Sequence, residues 1–266
     1  MLIEPELIEE YTDAVIFDCR FALGDAKAGS NDYSAGHIPG ACYIDLNGDL
    51  SAPVAEHGGR HPLPAPQVFA GTLARFGVDQ QTQTIAYDDS RCAFASRLWW
   101  MMRSLGYTPP LLVNGGYTGW LNGGGVPETA EPEPRPCLPP TVHAYEQRVD
   151  INGLRAALAA GALLIDSREA ARYQGLEEPI DPVAGHIPGA INRPWQGVTD
   201  AHGLVRAETE QRDHWGDALD SKQLVVYCGS GVTACVNLFS LSLLGRDDAV
   251  LYAGSWSDWC SYLQQD

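Results

Sequence analysis

Short apolar runs closed by acidic or glycine-rich turns alternate along the chain with longer stretches in which apolar and polar residues mix. Val15-Ile16-Phe17, Thr84-Ile85-Ala86-Tyr87, Leu163-Leu164-Ile165 and Leu224-Val225-Val226-Tyr227 are the clearest runs. Their length and β-branched content predict buried strands. The stretches 66–76, 92–105, 151–160 and 233–244 predict helices. Such alternation predicts an α/β fold, a parallel sheet with helices on both faces, and in such sheets ligands bind beyond the carboxyl ends of the strands.

The pattern is written twice. Val15-Ile16-Phe17-Asp18-Cys19-Arg20 is followed by Ala35-Gly36-His37-Ile38-Pro39-Gly40-Ala41. Leu163-Leu164-Ile165-Asp166-Ser167-Arg168 is followed at nearly the same distance by Ala184-Gly185-His186-Ile187-Pro188-Gly189-Ala190. Downstream, Thr84 to Asp88 matches Leu224 to Cys228, and Gly115-Gly116-Tyr117-Thr118-Gly119-Trp120 matches Gly254-Ser255-Trp256-Ser257-Asp258-Trp259. Two copies of one unit of about 120 residues account for the length. The proline-dense stretch 127–143 lacks the N–H donors and φ freedom for a helix or central strand. It is expected to run as a stiff, extended linker between an N-terminal domain, 1–126, and a C-terminal domain, 144–266.

A hydrophobic content of 45% is typical of a globular protein, and no apolar run of about 18 residues is present to cross a membrane. The start, Met1-Leu2-Ile3-Glu4-Pro5-Glu6, shows neither the basic nor the long apolar segment of a secretory leader. Seven cysteines, an odd number without regular spacing, fit a reducing compartment, so the cytoplasm is the expected location. They show no paired metal-ligand spacing, and neither a metal site nor a cofactor is expected. A formal net charge of −17 argues against nucleic acid or an anionic membrane as partner. An anionic substrate would have to rely on a few local arginines or on backbone N–H groups.

One loop stands out. After the run Leu224 to Tyr227, Cys228-Gly229-Ser230-Gly231-Val232-Thr233 cannot continue a strand, and a helix is expected to follow. N–H groups at such a helix start lack intrahelical partners and favour an anion. The two glycines remove Cβ atoms that would hold the backbone away from a sulfur anion. In the other copy the same place reads Asp88-Asp89-Ser90-Arg91-Cys92-Ala93. A carboxylate is no sulfur nucleophile, and two adjacent acids would repel an anion, so the first copy is expected to be catalytically silent.

With these motifs assembled, the chain resembles the tandem-domain rhodanese family, the thiosulfate and 3-mercaptopyruvate sulfurtransferases. The likeness rests on both Asp-x-Arg strand ends, both Gly-His-Ile-Pro-Gly-Ala segments, Gly59-Arg60-His61-Pro62-Leu63-Pro64, the Cys-Gly-Ser-Gly-Val-Thr-Ala loop and the closing Gly-x-x-x-x-Trp. It implies that Cys228 takes sulfane sulfur from a small anionic donor, holds it as a persulfide and passes it to a thiol or to cyanide. Residues 229–233 (Gly229, Ser230, Gly231, Val232 and Thr233) would cradle that persulfide, an anion suited to inward N–H groups.

The resemblance further implies that Arg172 holds the donor's anionic group, and that His61 faces the loop and joins Ser230 in a serine, histidine and aspartate set. The aspartate position falls near Asn47, with Asp45 and Asp49 adjacent. Asp166 and Arg168 are expected to form a structural ion pair, and His37 and His186, present in both copies, to be structural. Cys235 is expected to be a buried helix residue, with a resolving thiol as the alternative.

Two rival readings compete with this one. A cysteine phosphatase needs Cys-x5-Arg, and the arginine position is Ala234. A non-catalytic rhodanese-like binding module commonly lacks the cysteine, which this chain keeps. As to the donor, thiosulfate enzymes of the family resemble Cys-Arg-Lys-Gly-Val-Thr, whereas Cys-Gly-Ser-Gly-Val-Thr looks like the mercaptopyruvate type. The family's second carboxylate-binding arginine would fall near Pro179-Ile180-Asp181, where none stands. Carboxylate binding would then rest on Arg172 alone or with a residue such as Arg60. The donor is expected to be 3-mercaptopyruvate, with thiosulfate as the alternative.

Overall fold

The computed structural model describes residues 1–263. They divide into two compact units: 1–52, 64–146 and 201–205 form the first, and 53–63, 147–200 and the chain from 206 onward form the second. The first contains β1 (Leu2–Ile3), β2 (Val15–Asp18), α1 (Ala28–Ala35), β3 (Ala41–Tyr43), α2 (Pro66–Arg75), β4 (Thr84–Tyr87), α3 (Ala95–Ser104), β5 (Leu111–Val113) and α4 (Gly116–Asn122). The second contains β6 (Arg148–Val149), α5 (Ile151–Ala159), β7 (Leu163–Asp166), α6 (Ala170–Tyr173), β8 (Ile191–Asn192), α7 (Glu208–Trp215), β9 (Leu224–Tyr227), α8 (Ala234–Leu243), β10 (Val250–Tyr252) and α9 (Ser255–Leu263).

Each unit holds a five-stranded sheet, ordered β1-β5-β4-β2-β3 in the first and β6-β10-β9-β7-β8 in the second. Every pairing is parallel. The second order is the first shifted by five strands, so the repeat in sequence is a repeat in topology. In both sheets the strand that ends at the key loop, β4 or β9, is central and buried along its whole length. That burial explains why these runs are continuously apolar rather than alternating. One face of the second sheet packs Leu154, Leu164, Val225, Tyr252 and Trp256 into a core. The first unit has an equivalent core of Ile16, Ile38, Ile85, Tyr87 and Trp120. Helix α8 is buried from Ala234 through Ser242, which accounts for its apolar character all round.

The duplicated motifs build one hydrogen-bonded box per unit. In the first, Arg20 Nε and Nη2 donate to Asp18, and Nη2 also donates to the Gly36 carbonyl at 2.7 Å. Tyr87 donates its hydroxyl to Asp18 Oδ2 at 2.8 Å and accepts the Ile38 N–H. In the second, Arg168 binds Asp166 and the Gly185 carbonyl, and Ile187 N–H donates to Tyr227. His37 stacks on Tyr33 and His186 on Tyr173, each with Nδ1 against the tyrosine's carbonyl oxygen. These buried polar groups satisfy one another, and the Asp-x-Arg and Gly-His-Ile-Pro-Gly motifs are accounted for by the fold.

Two short stretches lie with the other half of the chain. Residues 53–63 attach to α9 through polar contacts: Gly58 N donates to Asp258 Oδ1 at 2.7 Å, Arg60 N donates to Ser257 Oγ at 3.1 Å, and His57 Nδ1 meets Ser261 Oγ at 2.7 Å. A Cβ on Gly59 would collide with the Gly254 carbonyl and the Ser257 hydroxyl. Residues 201–205 return the exchange, with Val205 N donating to Asn114 Oδ1. The proline-rich chain after 126 has no helix and adheres to the first unit, where Cys137 N donates to the Ala74 carbonyl and Gln67 Nε2 to that of Pro140.

Candidate active site

Cys228 follows the last residue of β9 and is buried, with 1% of its surface exposed. Its backbone is tied to the start of α9: its N–H donates to Ser255 Oγ at 3.1 Å, and its carbonyl accepts the Trp256 N–H at 3.0 Å. The Gly229 carbonyl accepts from Ser257 N in the same way. The loop then turns through Gly231 at φ +77°, where a Cβ would strike the Ala253 carbonyl oxygen. Glycine is therefore required there both by backbone angle and by space. Val232 and Thr233 lead into α8. Cys235, the second residue of that helix, is buried and donates its thiol to the Gly231 carbonyl at 3.4 Å, the geometry of a packed helix residue.

Gly229 is open for another reason. A Cβ built on it would lie 3.0 Å from Arg60 Nη2 and 3.4 Å from Arg172 Nη1. Two guanidinium groups thus occupy the space where a side chain of the loop would project, beside Cys228. Arg172 arrives from α6 and Arg60 from the 53–63 strap. A buried carboxylate joins them: Asp181 Oδ1 pairs with Arg60 Nη1, and Oδ2 accepts from Arg172 Nη2 at 3.0 Å. Glu178 extends the cluster, accepting from Arg172 Nη2 at 2.7 Å and from Arg168 Nη1 at 3.1 Å. Burial, and next the neighbouring Arg172 cation, push the Arg60 pKa down. Burial also works against the Arg168 cation, but its pairing with Asp166 overrides that and raises its pKa.

His61, beside Arg60 on the strap, is buried with Nδ1 2.7 Å from Ser230 Oγ. The strap is pinned by Asp258, whose other carboxylate oxygen accepts the Tyr252 hydroxyl at 2.6 Å. Asp45 and Asp49 bind inside the first unit. Asp45 accepts from Gly48 N and Tyr43 Oη, and Asp49 from Asp45 N and Arg75 Nη2. Asn47 is exposed. Cys228, Ser230, His61, Arg60 and Arg172 thus meet around one loop. Three contributors carried no sequence signal of their own: Asp181, Glu178 and Asp258. Asp181 stands near the place where the resemblance implied a second arginine.

Residues 5–123 and again 150–262 match the rhodanese-like domain. The chain belongs to the rhodanese family. It is 42% identical over 253 residues to a protein of Pseudomonas aeruginosa named probable 3-mercaptopyruvate sulfurtransferase, covering 93% of this chain and 89% of that one. It is 30% identical over 257 residues to the thiosulfate sulfurtransferase of Gallus gallus, covering 92% and 85%. The solved structure of 3-mercaptopyruvate sulfurtransferase from Leishmania major superposes with a TM-score of 0.88 at 31% identity, covering 99% of this chain and 75% of that one. The two units are two rhodanese domains, and a persulfide mechanism is implied for the family.

In the first rhodanese domain the equivalent loop encloses an anion of its own. Asp88 is buried, and its carboxylate accepts four backbone N–H groups: Ser90 at 2.7 Å and Cys92 at 3.0 Å on Oδ1, Phe94 and Ala95 at 2.9 Å on Oδ2. This drawing-in of N–H groups sets the start of α3 at Ala95, later than position 92. Arg91 and Cys92 take left-handed φ values of 60° and 62° to close the loop. Arg91 stands at the place of Gly231.

Proposed function

We propose that the chain transfers sulfane sulfur from 3-mercaptopyruvate to a thiol or to cyanide through a persulfide on Cys228. The observation that carries this reading is the convergence on Gly229 of two guanidinium groups, next to a cysteine whose loop neighbour Ser230 is hydrogen-bonded to His61. Arg172 and Arg60 supply the positive charge for the donor's carboxylate, bidentate pairing being what guanidinium groups do well. The Ser230 hydroxyl, polarised by His61, is placed for the donor's carbonyl oxygen. Cys228 attacks as thiolate: the sulfur–sulfur bond forms, the donor's carbon–sulfur bond breaks, and the donor thiol's proton ends on the carbon released as pyruvate. The persulfide anion then sits in residues 229–233, each charge-assisted N–H bond worth on the order of 1.5–3 kcal/mol. An attacking thiolate takes the outer sulfur, leaving as its own persulfide anion, and the broken sulfur–sulfur bond restores the Cys228 thiolate; cyanide leaves as thiocyanate.

In this reading the domain of residues 1–126 is catalytically silent apart from Arg60 and His61, which its strap contributes, 127–143 is the connector, 144–266 carries the nucleophile and its loop, and the reducing cytoplasm is the setting. Names among the relatives divide between the two donors, so the choice rests on the loop. No cation stands at 229 or 230, and a hydroxyl suited to a carbonyl does. The test is kcat/KM for 3-mercaptopyruvate and for thiosulfate in wild type and in Ser230→Ala. Wild type should favour 3-mercaptopyruvate. Ser230→Ala should lose about tenfold on that donor, or ~1.4 kcal/mol of transition-state binding, and much less on thiosulfate, which has no carbonyl. A wild type that prefers thiosulfate, or equal losses on both donors, contradicts the donor assignment.

A further inference from the structure

The arginines proposed to receive the donor are already occupied. Asp181 lies between Arg60 and Arg172 with one carboxylate oxygen on each. Charges in the cluster balance: Arg60, Arg168 and Arg172 face Asp166, Glu178 and Asp181. An arriving anion therefore meets a neutral group of ion pairs rather than two free cations. The arginine side chains keep 30% and 13% of their surface exposed, whereas that of Asp181 keeps 2%. Solvent can reach the guanidinium groups, and the carboxylate is buried between them.

We infer that Asp181 is a built-in competitor for the donor's carboxylate, a specificity-determining residue that the donor must displace from Arg60 and Arg172 before it can lie over Cys228. The inference rests on the proposed role of the two arginines. Without a carboxylate between them, two partly buried cations would repel each other in the empty site. Asp181 removes that cost, and only an anion able to bind both arginines in its place gains entry. The local structure allows release. Asp181 sits in the irregular chain between α6 and β8, flanked by exposed Ile180 and Pro182. Its backbone N–H and that of Ile180 donate to Glu178, which stays anchored on Arg168 when Asp181 leaves.

A residue that merely props the arginines would act in the opposite direction, because removing it would loosen the site. The experiment is calorimetric binding of pyruvate, a monocarboxylate with the donor's carbonyl, and of uncharged pyruvamide to the full chain, with KM and kcat for 3-mercaptopyruvate measured alongside. Asp181→Asn keeps the shape and removes the charge; Asp181→Ala is the second variant, should the amide perturb folding. The expected result is pyruvate bound about tenfold more tightly, pyruvamide unchanged, and KM for the donor lowered with kcat within about twofold. Pyruvate affinity and KM that both stay the same or worsen in folded variants overturn the inference. Arg172→Gln separates the two levels: if it leaves pyruvate affinity and KM untouched, the donor-binding role of the arginines fails. If it weakens both while Asp181→Asn improves neither, only the competitor role fails.

Discussion

Residues 88 and 228 stand at the same place in two copies of one topology, each at the end of the central strand and at the mouth of the loop that leads to a helix. In the first copy the side chain at this place is a carboxylate, and four backbone N–H groups close on it at 2.7 to 3.0 Å. In the second it is a thiol, and glycines stand at the next and third positions. The carbonyl of each residue accepts the corresponding N–H, Tyr117 in one unit and Trp256 in the other, so the frame is shared and the contents differ. The first loop shows what this frame does: it gathers N–H groups around a negative charge. There the carboxyl group is a covalent part of the chain and is no sulfur nucleophile. In the proposed chemistry the same place in the second copy holds a side chain that acquires its anion only on reaction.

The loops also differ in backbone cost. Two left-handed non-glycine residues, Arg91 and Cys92, each cost roughly 1–2 kcal/mol, offset by the bonds to Asp88. Gly231 carries the equivalent turn without that cost. Gly231→Ala should therefore lower stability by at least about 3 kcal/mol, since it adds both a disfavoured φ and a clash with the Ala253 carbonyl. Arg91→Gly should stay within about 1 kcal/mol of wild type. Urea denaturation of both variants checks this, and equal losses would mean that the two turns carry the same backbone cost.

A smaller effect is expected at Asp88. Asp88→Asn presents an amide NH₂ to inward N–H groups and should cost about 1–3 kcal/mol of stability, with sulfur transfer per folded molecule unchanged. A collapse of turnover at full stability would mean that the first domain takes part in the chemistry. Burial raises the Asp88 pKa against the pull of the four N–H groups. A carboxyl raised in the folded state contributes most below the unfolded value of about 3.9, and that contribution fades as pH rises through the shifted value. The wild-type lead over Asp88→Asn should then grow as pH falls toward that unfolded value. A lead that shrinks would show the N–H groups outweighing burial.

The sequence carried those parts of the fold that repeat or that have a period. β2, β4, β7 and β9 are continuous apolar runs, and the duplicated motifs required equal topologies. The two-residue strands β1, β6 and β8 have too few positions for any pattern and exist because a neighbouring strand pairs with them. Around the site, Cys228, Gly229, Ser230 and Gly231 were legible because their chemistry is local to one loop. Arg172 and His61 could be placed by likeness to the family. The strap's attachment to α9 was not legible, since it depends on the side chains of Ser257, Asp258 and Ser261, polar contacts without periodicity. Nor was the Asp181 bridge, whose partner Arg60 is 121 residues away along the chain.

In the proposed function Cys228 alone carries the transferable sulfur, while the loop at Asp88 holds a fixed carboxyl group. Intact mass and peptide mapping of the full chain, after treatment with 3-mercaptopyruvate or thiosulfate and removal of excess donor, test it most directly. Wild type should gain one sulfur, about 32 Da, on the peptide containing Cys228. Cys228→Ser should gain none, and the peptide containing Asp88 and Cys92 should stay unmodified in both. An adduct that persists in Cys228→Ser, or a wild type that takes up no sulfur from either donor, would contradict the account.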